Sequence, residues 1–261
     1  MTGTARQPQR VVITGASSGI GAALARRYAR DGAVLGLIAR RASALREVAA
    51  PLPVRCETYP LDVRDAAALA AAARDFVSRH GCPDVVIANA GISLGTLTEH
   101  AEDTAAFEEV FDINLLGMVK TFQPFVACMR ERGSGALAGI ASVAGYRGLP
   151  GAEAYSASKA AAIAYLESLR LELRASGVKV ITICPGYIAT PMTENNPYPM
   201  PFLMSADEAA GKIVFLITRG RTFAVIPWQM ALAARALHVM PNWLYDRLFA
   251  AAPRKPRRAA E

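Results

Sequence analysis

Hydrophobic residues along the chain fall into short runs that alternate with longer, alanine-rich stretches. The runs occupy positions 10–13, 34–38, 54–59, 84–88, 136–140 and 178–184, with a last one at 222–226. Short apolar runs of this length read as strands, and the alanine-rich stretches between them are helix-compatible. Their regular alternation predicts an α/β fold, a single doubly wound parallel sheet with helices on both faces. Ligands of such sheets bind beyond the carboxyl ends of the strands. Gly15, Arg40, Asp62, Asn89, Ser142 and Pro185 all stand at or just past a predicted strand end, so one crevice is expected to collect them.

Three stretches depart from this rhythm. Between Thr190 and Ser205 the chain carries Pro191, Pro197, Pro199 and Pro201, too many prolines for a regular element, and is expected to form a lid. Segment 228–252 is mostly apolar but contains Arg235, His238, Asp246 and Arg247 and is broken by Pro241. It cannot supply the ~20 apolar residues of a membrane span, and two short helices flanking Pro241 are predicted instead. These helices pack on the protein, lie between subunits, or touch a membrane surface through Trp228, Trp243 and the basic tail; packing on the protein is the plainest reading. Residues 253–261 form that tail, in which Arg254, Lys255, Arg257 and Arg258 outweigh Glu261 and predict a disordered, solvated end.

Composition narrows the function classes. The 261 residues suffice for one substantial core, and no repeat or linker divides them. The expected organisation is a polar segment 1–9, a domain 10–227, its helical extension 228–252 and the tail 253–261. The net charge of +7 is scattered apart from the tail, and without a matching motif no nucleic-acid partner is expected. Segment 1–9 lacks the apolar stretch of a signal peptide. Cys56, Cys82, Cys128 and Cys184 are dispersed with no C-x-x-C pair, which predicts reduced thiols in a cytoplasmic protein. His80, His100 and His238 have no ligand spacing, so no metal site is expected; His80 before Gly81 reads as a helix end.

Two groups of residues carry chemistry. The first run leads into Thr14-Gly15-Ala16-Ser17-Ser18-Gly19-Ile20-Gly21 and then a helical stretch. A glycine turn between strand and helix lets backbone approach a pyrophosphate and aims helix N-terminal amides at it. The glycines fall as Gly-x-x-x-Gly-x-Gly rather than the common G-x-G-x-x-G. Further on, Tyr155 and Lys159 stand four residues apart on a predicted helix, hence on one face. An ammonium beside a phenol is expected to lower the tyrosine pKa from about 10 towards neutrality, making an acid/base couple.

In this order the motifs resemble the short-chain dehydrogenase/reductase family, and the likeness extends from about Arg10 to about Val225. Residues 14–21 match its cofactor turn, including Gly15, Ser17, Ser18, Gly19, Ile20 and Gly21. Asp62-Val63 match the pair beside the adenine, Asn89-Ala90-Gly91 the motif closing the fourth strand, and Asn114, Ser142, Tyr155 and Lys159 the catalytic tetrad. Pro185, Gly186, Ile188 and Thr190 belong to the segment that holds the nicotinamide. No catalytic position is missing. The resemblance implies a Rossmann-type fold and a nicotinamide cofactor.

The end of the second strand bears on which cofactor. Ala39 offers no carboxylate to the adenine ribose, whereas Arg40, with Arg41 as a second cation, suits a 2′-phosphate, so NADP(H) is expected over NAD(H). By resemblance, Ser142 donates to a substrate carbonyl, Tyr155 delivers the proton, Lys159 tunes Tyr155 and holds the nicotinamide ribose, and Asn114 retains a relay water. The expected partner is a small carbonyl or alcohol substrate contacted by Ser142, Tyr155 and Tyr187. The methionines and aromatics of segment 191–204 suggest that it is apolar, or serve only to plug the lid onto the protein. Val143, Tyr146, Ile92 and Leu94 are further candidates for the pocket wall. Family members associate through long helices, which here begin near Thr104 and Glu153, so a homodimer or homotetramer is expected.

Overall fold

The computed structural model describes residues 7–194, 196 and 199–257; expectations for positions 1–6, 195, 197–198 and 258–261 lie outside the described residues. In chain order the elements are β1 (Arg10–Thr14), α1 (Gly19–Arg30), β2 (Val34–Ala39), α2 (Ala42–Ala49), β3 (Cys56–Pro60), α3 (Ala66–His80) and β4 (Val85–Ala88). Then follow α4 (Asp103–Phe111), α5 (Gly117–Arg132), β5 (Gly135–Ile140), α6 (Glu153–Glu172), β6 (Val178–Pro185), β7 (Ile188–Ala189) and β8 (Met204–Ser205). The described chain closes with α7 (Ala206–Thr218), β9 (Phe223–Ile226), α8 (Trp228–Val239) and α9 (Asn242–Phe249).

Seven strands form one sheet in the order β3-β2-β1-β4-β5-β6-β9, every pairing parallel. All seven predicted runs are strands, and the doubly wound α/β expectation holds. The strand order reverses between β1 and β4, which places the topological switch, and with it the ligand crevice, above their carboxyl ends. Helices α1, α2 and α7 cover one face around Leu24, Leu45 and Ile213; α3, α5 and α6 cover the other around Phe76, Phe122 and Leu166. Helix ends follow local chemistry. Asp65 caps α3 by accepting from the Ala68 amide, Ser205 and Glu208 form a capping box on α7, and His80 ends α3 as expected.

Two expectations are corrected here. Cys82 and Cys128 form a disulfide that ties the loop before β4 to α5, leaving only Cys56 and Cys184 as free thiols. Their separation of 46 residues hides the pairing, which depends on how α3 and α5 lie together. The tail is also docked rather than free over its described part, with Lys255 and Arg257 half-buried while Pro253, Arg254 and Pro256 stay exposed. Lys255 Nζ donates to Ser93 Oγ at 2.8 Å, and Arg257 forms an ion pair with Asp103 at 2.8 Å.

The two predicted C-terminal helices exist and are held by Arg147. Its guanidinium donates to the Leu237 and Met240 carbonyls and to Asn242 Oδ1, and stacks 4.2 Å from the centre of the Tyr245 ring. Among the described residues no helix is long and apolar enough to cross a membrane.

Candidate active site

A cleft of about 750 Å³ opens at the carboxyl ends of the strands and runs from β2 to β6. At one end lies the glycine turn. Gly15 has φ +67°, a backbone that favours glycine, and a Cβ on Gly21 would strike the Gly15 carbonyl and Asn89 Nδ2. Asn89 braces this turn: its amide donates to the Thr14 and Gly15 carbonyls at 3.1 and 3.3 Å. Ser18 starts α1 in extended backbone without capping it, and the first turn of α1 has no acidic residue. Free N–H groups and the positive end of the helix dipole therefore face the cleft, ready for a phosphate.

The next wall carries the charges. Arg40 and Arg41 both line the cleft, and Arg40 is half exposed with its guanidinium 3.9 Å from Asp62. Asp62 is bound more closely by Arg64, at 2.7 Å, and hydrogen bonding from that guanidinium holds its carboxyl below the usual carboxylate range. Val63, Ala90 and Gly91 line the same floor.

Ser142, Tyr155 and Lys159 line the far end of the cleft. Ser142 follows β5 in extended backbone, and its hydroxyl accepts from the Ala144 amide at 3.1 Å and hydrogen-bonds Tyr155. Tyr155 and Lys159 project from the first turns of α6. Lys159 is buried and donates from Nζ to the Ile140 carbonyl at 2.9 Å. Burial sets both pKa values here. It pushes the Tyr155 phenol above its ordinary value, against the opposing hydrogen bond from Ser142, and pulls Lys159 down to about 8. The expectation of a lowered Tyr155 is thus corrected: desolvation outweighs the Ser142 hydrogen bond, and the Lys159 ammonium is engaged with the Ile140 carbonyl. A phenol with a raised pKa keeps its proton at neutral pH and is suited to donating it.

Asn114 sits behind this group in a π-helical turn at Asp112–Leu116 between α4 and α5. It is fully buried and does not line the cleft. Its oxygen accepts from the Ile92 amide at 2.8 Å, and its nitrogen donates to the Ile92 carbonyl and Ser158 Oγ at 3.0 Å each. Asn114 therefore fixes Ile92, which does line the cleft, while Ser158, missed from sequence, links it to the Tyr155 carbonyl.

A sequence profile described as short chain dehydrogenase matches residues 9–199. The chain belongs to the short-chain dehydrogenase/reductase family. It is 39% identical to an oxidoreductase of Myxococcus xanthus over 238 residues, covering 90% of this chain and 94% of the relative. It is 33% identical over 222 residues to a 2-dehydro-3-deoxy-L-rhamnonate dehydrogenase (NAD(+)) of a Sphingomonas species, covering 81% and 89%. Among solved structures, the L-sorbose reductase of Gluconobacter frateurii, complexed with NADPH and L-sorbose, matches with a TM-score of 0.75 at 26% identity. That match covers 84% of this chain and 95% of that one. As a family member the protein is a nicotinamide-dependent oxidoreductase acting on alcohol or carbonyl groups.

The segment expected to hold the nicotinamide also reaches the cleft. Pro185, Gly186, Ile188 and Thr190 line the cleft, as do Ser17, Gly19 and Ile20 at its opposite end. Gly21 packs beneath the turn and Tyr187 lies outside the lining. Of the extra wall candidates Ile92 lines the cleft, whereas Leu94, Val143 and Tyr146 do not; Tyr146 faces His238 of α8 instead. Sequence reading missed Leu61, Ile113, Ile140 and Ala141. The lid is split in role: Met192 and Thr193 line the cleft, while Met204 is buried in the core through β8, which pairs with β7. Cys184 is a further neighbour, its buried thiol pushed up to about 12.

Proposed function

We propose that this chain is an NADPH-dependent oxidoreductase that reduces the carbonyl of an apolar small molecule to an alcohol, or runs the reverse, with Tyr155 as acid/base. One observation carries the reading. A single cleft holds the glycine turn and Arg40 at one end and Ser142, Tyr155 and Lys159 at the other, the arrangement that a dinucleotide and a carbonyl need together. Its size lies within the range of ~300–1,000 Å³ usual for ligand sites.

The residues suit the cofactor. An uncapped helix start and a turn with no room for a Cβ suit the pyrophosphate, and Arg40 suits a 2′-phosphate. The two named comparisons divide on the cofactor, NAD(+) for one and NADPH for the other, so the preference for NADPH rests on Arg40 and the absence of an acidic residue at Ala39. When bound, the nicotinamide supplies or takes up a hydride. Ser142 orients the substrate oxygen, Tyr155 gives it a proton, and Lys159 holds positive charge beside the developing phenolate. Met192, Ile92 and Ile113 favour an apolar substrate body.

Titration with NADPH and NADH by nicotinamide fluorescence, followed by a ketone and aldehyde panel, tests this. Tighter NADPH binding with turnover of apolar carbonyls supports the reading. Tighter NADH binding, or no turnover across the panel, opposes it.

A second reading concerns where the enzyme works. Trp228 and Trp243 are 68% and 69% exposed, and with Leu232 and Val239 they leave apolar side chains facing outward on α8 and α9. Flanked by Arg235 and Arg247, this surface suits an anionic membrane. Co-sedimentation with anionic vesicles, lost in Trp228→Ser/Trp243→Ser, tests it; wild-type protein that stays in the supernatant removes it.

A further inference from the structure

Sequence composition assigns the basic tail to solvent, yet its described part is docked against the loop after β4, outside the cleft but beside its wall at Ile92. Arg257 pairs with Gly95 in a parallel β-bridge, and Thr96, the next residue, pairs with Ala152. The tail, the loop after β4 and the segment leading into α6 therefore lie side by side. This arrangement has consequences on both flanks. Ile92, a wall residue of the cleft, is three residues before Gly95, and Tyr155 is three residues after Ala152.

Side chains hold the tail in this position. Arg257 donates from Nε to Asp103 Oδ2 at 2.8 Å and from Nη2 to Asp103 Oδ1 at 3.0 Å and Glu102 Oε1 at 2.9 Å. Asp103 is only 7% exposed, and the same Oδ2 accepts from the Leu97 amide at 2.8 Å. Its buried charge thus depends on one guanidinium in a two-point contact, a geometry that gives strong, directional pairing. Lys255 donates to Ser93 Oγ at 2.8 Å, next to Ile92.

The receiving loops are shaped for the tail. A Cβ on Gly95 would meet the Pro256 carbonyl and stand 2.5 Å from the Lys255 carbonyl oxygen. A Cβ on Gly151 would stand 2.8 Å from Arg254 Cβ and 3.0 Å from the Lys255 amide. Glycine at Gly95 has no positive φ to explain it; the close passage of the tail does.

We infer that residues 255–257 are a strap that sets the spacing between the cleft wall at Ile92 and the proton donor Tyr155, with Arg257 and Lys255 as positioning residues for the carbonyl substrate. This deepens the reductase reading and rests on it for the identity of the substrate side. The cofactor half of the cleft, at β1 and β2, makes no contact with the tail among the described residues. The strap accordingly affects substrate capture and leaves cofactor binding alone.

The test compares wild type with a chain ending at Ala252, Arg257→Ala, Arg257→Lys and Arg254→Ala, by hydrogen exchange, NADPH affinity and steady-state kinetics. Truncation and Arg257→Ala are expected to speed exchange at 92–98 and 149–153 by about tenfold, equivalent to ~1.4 kcal/mol of local opening, with residues 15–21 unchanged. Carbonyl KM is expected to rise by about tenfold with a smaller change in kcat, and NADPH affinity to hold. Arg257→Lys recovers part of the loss. Arg254→Ala, which removes a tail charge without touching Asp103, behaves as wild type.

Unchanged exchange at 92–98 in the truncated chain overturns the strap. So does exchange that rises equally at the glycine turn with matching loss of NADPH affinity, which marks a general stabiliser. The exchange and affinity arms decide the matter even where wild type turns over no carbonyl; that outcome counts against the reductase reading alone.

Discussion

Lys159 Nζ stands 5.7 Å from the centre of the Tyr155 ring. Lys159 is buried and Tyr155 is half-buried on the cleft wall, and desolvation moves their pKa values in opposite directions, the phenol up and the ammonium down to about 8. The couple is therefore set to hold a proton on tyrosine while keeping a lysine charge that is lost just above neutrality.

The first prediction follows from that lysine. For the free enzyme, kcat/KM for reduction is expected to fall as pH rises through about 8, as Lys159 loses its charge. Stability has the opposite sign. The folded pKa lies below the unfolded value of about 10.4, so Lys159 contributes stability that grows from pH ~8 to ~10.4 and is lost on going back down. Cys56 and Cys184, raised to about 11 and about 12, lose stability in the same window, so the quantity to read is wild type minus Lys159→Met across a denaturation series. A difference that is flat with pH contradicts the depressed lysine.

Arg40→Ala is expected to weaken NADPH by about 1.5–3 kcal/mol, roughly 10- to 100-fold, and NADH little. Because Arg40 is half exposed, the lower end applies at physiological salt and the effect shrinks as salt rises. Equal losses for both cofactors place the phosphate contact elsewhere.

Asn114→Ala removes a buried amide that satisfies both backbone groups of Ile92. The expected cost is about 1–3 kcal/mol of stability from the unpaired groups, together with reduced turnover. Thermal unfolding and kinetics on one preparation check it; loss of turnover at unchanged stability contradicts the bracing role.

Gly21→Ala puts a Cβ against the Gly15 carbonyl and Asn89 Nδ2. Overpacking of this kind costs about 1–3 kcal/mol, and the displaced turn is expected to lose affinity for NADPH and NADH alike. Calorimetric titration with both cofactors reads this directly.

Strand positions, the glycine turn and the residues at strand ends were legible because each leaves a local mark. A buried strand is a short apolar run, and a close-approach turn needs glycine. Long-range pairing leaves no such mark. Arg257 meets Asp103 across 154 residues, and a run of basic residues reads the same whether it is solvated or docked. The Cys82–Cys128 bond is hidden for the same reason. Helical spacing placed Tyr155 and Lys159 together but was silent on how dry their surroundings are, and dryness decides the direction of both pKa shifts. Ile113 joins the cleft because the chain makes a π-helical turn at Asp112–Leu116, which residue spacing did not reveal.

In the proposed NADPH-dependent carbonyl reduction, Tyr155 delivers the proton. The most direct test measures NADPH oxidation by apolar carbonyls in wild type and Tyr155→Phe side by side, with NADPH affinity determined on the same preparations. Wild-type turnover, with a variant that binds NADPH normally and turns over at least ~10²–10⁴-fold more slowly, is the predicted result. A Tyr155→Phe enzyme as fast as wild type contradicts it.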